Sequence, residues 1–442
     1  MRYRKLAWLA AMLLSLSLSP LPAQAQDVAA NKAAIARLLD QAYPALDALY
    51  KDIHAHPELG FAETRTAALL AREMRALGFD VTERVGRTGI VAVLRNGAGP
   101  TVLVRTELDA LPMREQSGLP YASQAQTEWQ GRPTYIAHSC GHDIHMAAWV
   151  GAARALVAMK SAWRGTLVFI GQPAEEGLGG AAAMLEDGLF TRFPKPDYAF
   201  ALHTGPFAYG EVHYRPGVLT SNSDSIEIIF KGRGGHGSMP NATIDPVLIA
   251  SRFVVDVQSI VSREIDPQAP GVVTIGAIQG GTAGNIIPDQ VLVRGTIRNY
   301  DADVRAKMKA GVARVARASA AMAGAPEPDI AISDGADSVI NDPALTARIG
   351  PVFQAAFGDK AVLDPAPGPA SEDYSVFVNA GVRASLDFQI GVYDPARVAT
   401  AAAGGDPLPV NHSPFYAPVP EPTIKTGVEA MTLAVLEVLK PT

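Results

Sequence analysis

A chain of 442 residues, 48% of them hydrophobic and 19% charged, can bury a large core, and its single cysteine offers no intramolecular disulfide to staple one. Intrinsic disorder, a disulfide scaffold and a small zinc-finger module are therefore excluded. The formal net charge of -6, with no concentrated Lys/Arg tract, gives no electrostatic reason to expect nucleic-acid binding.

In chain order, residues 1–25 read as a targeting segment. Arg2, Arg4 and Lys5 precede the apolar run LAWLAAMLLSLSLSPLP, and Ala23-Gln24-Ala25 supplies the small residues of a cleavage site. A cut after Ala25 would release an exported chain, placed most simply in a bacterial periplasm. No later stretch reads as a membrane span.

The mature chain then predicts helices over 31–50 and 63–77, the second stopped by Gly78, with the loop HAHPELG between them. Strands follow at 89–95 and 101–106, a helix at 142–160, a buried strand at 165–171, a helix at 179–190 and a strand at 197–205. This alternation predicts an α/β domain whose site lies at strand ends. After about residue 220 the pattern changes. SDSIEIIFKG reads as a strand, 243–263 as a helix, 271–278 and 290–298 as strands, 301–322 as an Ala-rich helix and 328–333 as a strand. That is a compact α+β insertion. Mixed elements return over 335–442 and end in a helix near 423–439, while 321–328 and 391–411 read as connections.

The densest chemical signal is His138-Ser139-Cys140-Gly141-His142-Asp143-Ile144-His145. Three of the nine histidines and the only cysteine fall in it, immediately before a helical pattern. Thiolate and neutral imidazole suit zinc and related divalent ions, and Gly141 lets both side chains turn to one point. The block alone also admits a plainer reading, a capped helix start with a small buried thiol. Glu175 and Glu176 follow the strand GTLVFIG, where Pro173 can send the two carboxylates in separate directions; alone they are as readily a solvated pair. His203 after YAFAL and His412 in NHSPF, each alone more readily a structural histidine, can complete a nonlocal set if the C-terminal region folds back. His54, His56 and His213 are weaker choices; HAHPELG could position a pocket residue, but its turn signals equally explain a polar surface connection. GRGGHGS does not match a phosphate-binding loop, and there is no GxSxG elbow or HExxH helix.

Taken together, ELDALP at 107–112, HSCGHDIH at 138–145, GQPAEEG at 171–177, LHTG at 202–205, GGHGSMP at 234–240, GGTAGNIIPD at 280–289, GTIR at 295–298, SEDYS at 371–375 and NHSPF at 411–415 resemble the M20 metallopeptidase family. The resemblance is closest to its amidohydrolase branch of hippurate hydrolases, auxin-amino-acid hydrolases and aminoacylases. It implies an α/β, zinc-peptidase-like catalytic domain formed from 26–220 and 335–442, interrupted at 221–334 by a smaller α+β lid or dimerisation domain. Cys140, His142, Glu176, His203 and His412 match the family's metal ligands, Glu175 its catalytic base, and Asp109 a supporting position behind the ligands. Two divalent ions per chain are implied, zinc or manganese first, with cobalt or nickel also suited. The chain departs from the branch at Glu107, where Asp is usual, at Ser139, at Asn241, and at Ala417–Pro420, where acids are frequent.

The implied activity is hydrolysis of the amide bond of an N-acyl amino acid or small peptide. Glu175 would take a proton from the attacking water and return it to the departing amine. His236 would bind the scissile carbonyl from the lid, and Asn285 and Arg298 would contact polar parts of the substrate, Arg298 pairing with a carboxylate. A homodimer through the smaller domain is compatible with this reading. The alternative is an exported metal-dependent binding protein for amino-acid conjugates, without turnover.

Overall fold

The computed structural model describes residues 23–441 other than Leu178. The expected export signal therefore falls almost wholly outside the described residues. Among those residues no helix is long and apolar enough to cross a membrane.

The larger sheet has eight strands. Their order is Asp80–Val85, Gly89–Asn96, Gly165–Gln172, Thr101–Glu107, Tyr198–Ala208, Ala384–Tyr393, Val212–Tyr214 and Ala361–Leu363. The four central strands, from Gly165–Gln172 to Ala384–Tyr393, run parallel. Alternation along them fills two faces. Val102, Val104, Phe169 and Phe200 pack with Ile35, Leu70, Trp149, Phe353 and Val428 of helices Ala23–Ala55, Thr64–Ala76, His142–Ala158, Pro343–Phe357 and Pro420–Leu439. On the opposite face Leu103, Val168, Ile170 and Ala199 meet Met184, Leu189 and Phe377 of three short helices. A sheet covered on both sides is what near-continuous apolar strands require.

The chain leaves this sheet after Tyr214 and builds a second, antiparallel one in the order Gly271–Gln279, Gln290–Asn299, Asn222–Lys231 and Asp329–Asp334. Helices Pro246–Asp256 and Ala302–Met322 cover it, and Ile226, Ile228, Phe230, Phe253, Val293, Met308 and Val312 form a separate core. Asp245 and Asp301 cap the two helices by accepting backbone N–H groups at their first turns.

Several local expectations need correction. Asp80–Val85 is a strand, unread because an edge strand carrying Asp80, Glu83 and Arg84 has no apolar alternation. The helix expected over 179–190 is two pieces, Gly180–Glu186 and Leu189–Arg192, broken at Gly188 with φ 85°. The helix expected over 243–263 ends at Asp256, with one wide turn at Ile260–Glu264. The supposed connection 391–411 contains the helix Pro395–Ala402, capped by Asp394. A hairpin, Gln126–Trp129 with Arg132–Tyr135, was also unread.

Candidate metal centre

The parallel strands deliver their chemistry at one edge of the sheet. Glu107 pairs in register with Gln172, and Val104 pairs with Phe200, so His203, three residues further on, is level with Glu107. Asp109 follows the first of these strands, and Glu175 and Glu176 follow Gln172. Cys140 and His142 come from the start of helix His142–Ala158. Gly141 there has φ 90°, and a Cβ would meet Thr204 Oγ1 at 2.4 Å, so the turn between the two residues requires glycine.

Cys140 Sγ, an imidazole nitrogen of His142 and a carboxylate oxygen of Glu176 all lie within 4.8 Å of one another. His203 Nε2 lies 3.5 Å from Cys140 Sγ, and His412 Nε2 lies 3.3 Å from Glu176 Oε1. The five expected ligand residues thus form one continuous group. Backbone carbonyls set the tautomers: His142 Nδ1–H donates to Asp109 O and His203 Nδ1–H to Thr204 O, both at 2.8 Å. Each ring is left with its Nε2 lone pair facing the group. His412 comes in on a left-handed residue, φ 68°, tied by its N–H to Ser139 O at 2.8 Å.

One of these atoms, His142 Nε2, is buried without a hydrogen-bond partner and stands 4.0 Å from Glu176 Oε1. Buried polar atoms are rarely left so, because desolvation without a partner costs about 1–3 kcal/mol each. Sulfur, imidazole and carboxylate donors converging on such a gap fit a borderline-soft divalent cation. His145 does not fit. Its Nε2 accepts the Thr204 N–H at 2.9 Å and its Nδ1–H donates to Glu107 at 3.0 Å, so both nitrogens are engaged.

The electrostatics agree with the donor chemistry. Among the described residues Arg105 is the only buried Lys or Arg, and it faces Glu107, Glu372 and Asp373. Burial, then Glu372, Glu176 and Asp373, push the Glu175 carboxyl well above its ordinary range. Burial and the Glu176 and Glu175 carboxylates push the Cys140 thiol up as well. His142 is lifted to about 10 against its burial by Asp109, Glu107 and Glu176. Burial alone would raise Glu176, but hydrogen bonding to His412 and the nearby His142 hold it below the usual value. An anionic pocket that balances its charge by retaining protons is one that exchanges them for a cation.

Asp109 does support the group, through its carbonyl to His142 and through Oδ2, which accepts the Glu176 N–H at 2.9 Å. Glu175 Oε2 lies 3.9 Å from His142 Nε2. His236 and Asn285 sit on the second domain. His236 is exposed, its Nδ1 accepts from the Ser238 N–H at 3.1 Å, and the Asn285 carbonyl accepts the Gly237 N–H at 2.8 Å. Neither joins the Cys140 group here. Arg298 donates to Ser371 Oγ at 2.5 Å, beside Glu372.

HAHPELG is not a polar surface connection throughout. His56 is exposed, but His54 is buried between Asp143 Oδ2 at 2.6 Å and Glu115 Oε1 at 3.0 Å. His213 is similarly held between Asp364 and Glu211. Sequence reasoning missed Arg105, Glu372 and Asp373 as parts of the site. The SEDYS motif was a signal for the two acids, whereas a lone arginine in TVLVRTE carries none.

The model of peptidase family M20/M25/M40 matches residues 103–435. A hippurate hydrolase of Campylobacter jejuni is 38% identical over 330 residues, covering 74% of this chain and 82% of that one. An N-acetyl-L-cysteine deacetylase of Bacillus subtilis is 34% identical over 331 residues, covering 74% and 76%. Among solved structures, a dinuclear metal binding peptidase of family M20 from Bacillus subtilis superposes with a TM-score of 0.70 at 26% identity, covering 92% of this chain and 99% of that one.

Proposed function

The chain belongs to peptidase family M20/M25/M40, and on that premise we propose that it is a metal-dependent hydrolase cleaving the amide bond of N-acyl amino acids or small peptides. One observation carries the reading. The adjacent carboxylates Glu175 and Glu176 both reach the partnerless Nε2 of His142, at 3.9 and 4.0 Å, and only Glu176 goes on to meet His412. One acid therefore belongs with the ligands, and its neighbour is left for proton transfer.

Cys140, His142, Glu176, His203 and His412 would hold two divalent cations, zinc or manganese first, with cobalt or nickel also matching the donors. When bound, the cations would supply Lewis acidity that polarises the scissile carbonyl and makes water a better proton donor. Glu175 takes the proton of the attacking water and passes it to the departing amine. A buried carboxylate with raised proton affinity suits both halves of that task, since a carboxylate of ordinary strength is too weak a base at neutral pH. Asp109 keeps His142 in the ligating tautomer and holds the Glu176 backbone.

In this reading the second domain closes over the substrate. His236, whose Nε2 is free of the Ser238 contact, would bind the scissile carbonyl, Asn285 would add a polar contact, and Arg298 would pair with the substrate carboxylate. The edge strand Gly271–Gln279 exposes Val272 and Ile278, and helix Pro246–Asp256 exposes Leu248 and Val255. These exposed apolar side chains and the unpaired strand edge support a homodimer through the smaller domain. The basic and apolar character of the first 25 residues supports export, and with it a periplasmic location for the mature enzyme.

The test is Glu175→Gln. It should keep the bound metal and lose amide hydrolysis, and turnover at the wild-type rate would remove the proposed base. A metal-dependent binding protein would instead show no turnover in the wild type with any N-acyl amino acid or dipeptide.

A further inference from the structure

The loop HAHPELG continues into Phe61-Ala62-Glu63, and this segment lies against the turn that carries both catalytic-site acids. Leu59 bridges to Ala110, the Ala110 N–H donates to Glu58 O at 2.8 Å, and a Cβ on Gly60 would stand 3.0 Å from both Cα and Cβ of Ala174. Glu63 stands at the N-cap position of helix Thr64–Ala76, yet its side chain makes no bond to that helix. The capping work is done by Glu58, which accepts the Arg65 N–H at 3.1 Å and the Thr66 N–H at 2.8 Å. Glu63 is thereby released for something else. It is fully buried, one oxygen accepts the Ala174 N–H at 2.8 Å, and the other accepts the Thr88 hydroxyl.

The backbone on both sides of these bonds is unusual. Ala174 has φ 46°, Arg87, next to Thr88, has φ 79°, and Phe61 has φ 62°. Left-handed backbone at non-glycine residues costs free energy and persists only where the surroundings over-determine it, a pattern concentrated at functional sites. The far end of the same turn is held by Asp109 Oδ2 on the Glu176 N–H, at 2.9 Å. The turn Ala174–Glu176 is thus clamped at both ends by buried acids from different parts of the chain.

We propose that Glu63 is a positioning residue for the hydrolysis. By holding the Ala174 N–H it fixes the left-handed turn, and with it the directions in which Glu175 and Glu176 leave the strand. The inference rests on the reading of Glu175 as base and Glu176 as ligand. It does not place Glu63 in contact with substrate. A base displaced by about 1 Å can lose on the order of 100-fold in rate without loss of substrate affinity.

The test compares Glu63→Ala, Glu63→Gln and Glu175→Gln with wild type in the full chain saturated with metal. Metal content, thermal midpoint, kcat and KM are measured on whichever N-acetyl or N-benzoyl amino acid the wild type cleaves fastest. Glu63→Ala should lower kcat by about 10- to 100-fold with KM within about threefold. Glu63→Gln, which keeps an oxygen acceptor for the Ala174 N–H, should restore most of it. If Glu63→Ala fails to fold, Glu63→Asp, charged but one methylene too short, takes its place with the same expected kcat loss. Wild-type kcat in Glu63→Ala beside an inactive Glu175→Gln overturns the positioning role, as does an equal kcat loss in Glu63→Ala and Glu63→Gln. Wild-type turnover in Glu175→Gln overturns the underlying base assignment and the inference with it.

Discussion

Replacing Arg105 by Met tests the electrostatic account of the buried site. The guanidinium donates to Glu107, to Glu372 at 2.6 and 3.1 Å, to the more distant Asp373 at 3.5 Å, and through Nε to Gln172 at 2.9 Å. Met fills much of the same space and removes the charge, leaving Glu372 and Asp373 buried without that countercharge and Glu107 with only His145 and His142 beside it. Removing one partner of a buried ion pair costs about 3–5 kcal/mol, and because the bonds here share one donor group they do not add separately. The pH dependence follows from the sign of the shift. Burial would raise the Glu107 pKa, but Arg105 holds it well below the ordinary value, so its contribution to stability is present above about 4.5 and is lost as pH falls toward the folded value. Without Arg105, the largest influence opposing burial, only His145 and His142 still lower the Glu107 pKa; burial is expected to outweigh them, so that the folded pKa rises above the unfolded one and the charged form becomes a cost that grows with pH. Urea denaturation of wild type and Arg105→Met at pH 5 and pH 8 should therefore show a penalty of about 3–5 kcal/mol at pH 8 and a smaller one at pH 5. A penalty under about 1 kcal/mol at pH 8, or a larger one at pH 5, would mean that Arg105 does not neutralise the buried carboxylates.

The remaining predictions concern the second buried pair and the cations. Against its burial, His54 is lifted from 6.5 to about 10 by Asp143 and Glu115, so its contribution is complete below pH 6.5 and is lost as pH rises through about 10. The stability advantage of wild type over His54→Gln should accordingly shrink between pH 7 and pH 10, as read by urea denaturation, and an advantage that grows over that window contradicts the assignment. Because Glu175, His142 and Cys140 hold protons in the anionic pocket, loading chelator-stripped protein with zinc or manganese should release at least about one proton per chain near pH 7. Calorimetry in buffers of differing ionisation enthalpy reads this directly, and proton uptake would show that the pocket's charge has been misjudged.

What was legible in the sequence follows a physical division. The Cys140–His142 pair and the Glu175–Glu176 pair are dense local signals at strand and helix ends, and the sheet edge gathers them with His203 and His412 as their residue types suggest. Arg105, Glu63 and His54 carry no comparable local mark. Arg105 reads as an interruption of an apolar strand, and its partner Glu372 lies 267 residues away. Glu63 opens the helix predicted over 63–77, and only in the fold does its side chain turn away from that helix while Glu58 caps it. His54 sits among turn residues, yet helix Ala23–Ala55 carries it inward to Asp143. The helix Pro395–Ala402 was within reach, since Asp394-Pro395 is an N-cap followed by proline at the first helical position, but the surrounding Ala and Gly residues obscured it.

The central claim is that Glu175 moves the proton while its neighbour helps hold the cations. Metal content and kcat of Glu175→Gln and Glu176→Gln, measured side by side on an N-acyl amino acid cleaved by the wild type, test it most directly. Glu175→Gln should keep its metal and lose at least about 100-fold in kcat, whereas Glu176→Gln should lose metal. Glu175→Gln turning over at the wild-type rate, or Glu176→Gln keeping full metal while Glu175→Gln loses it, would contradict the assignment.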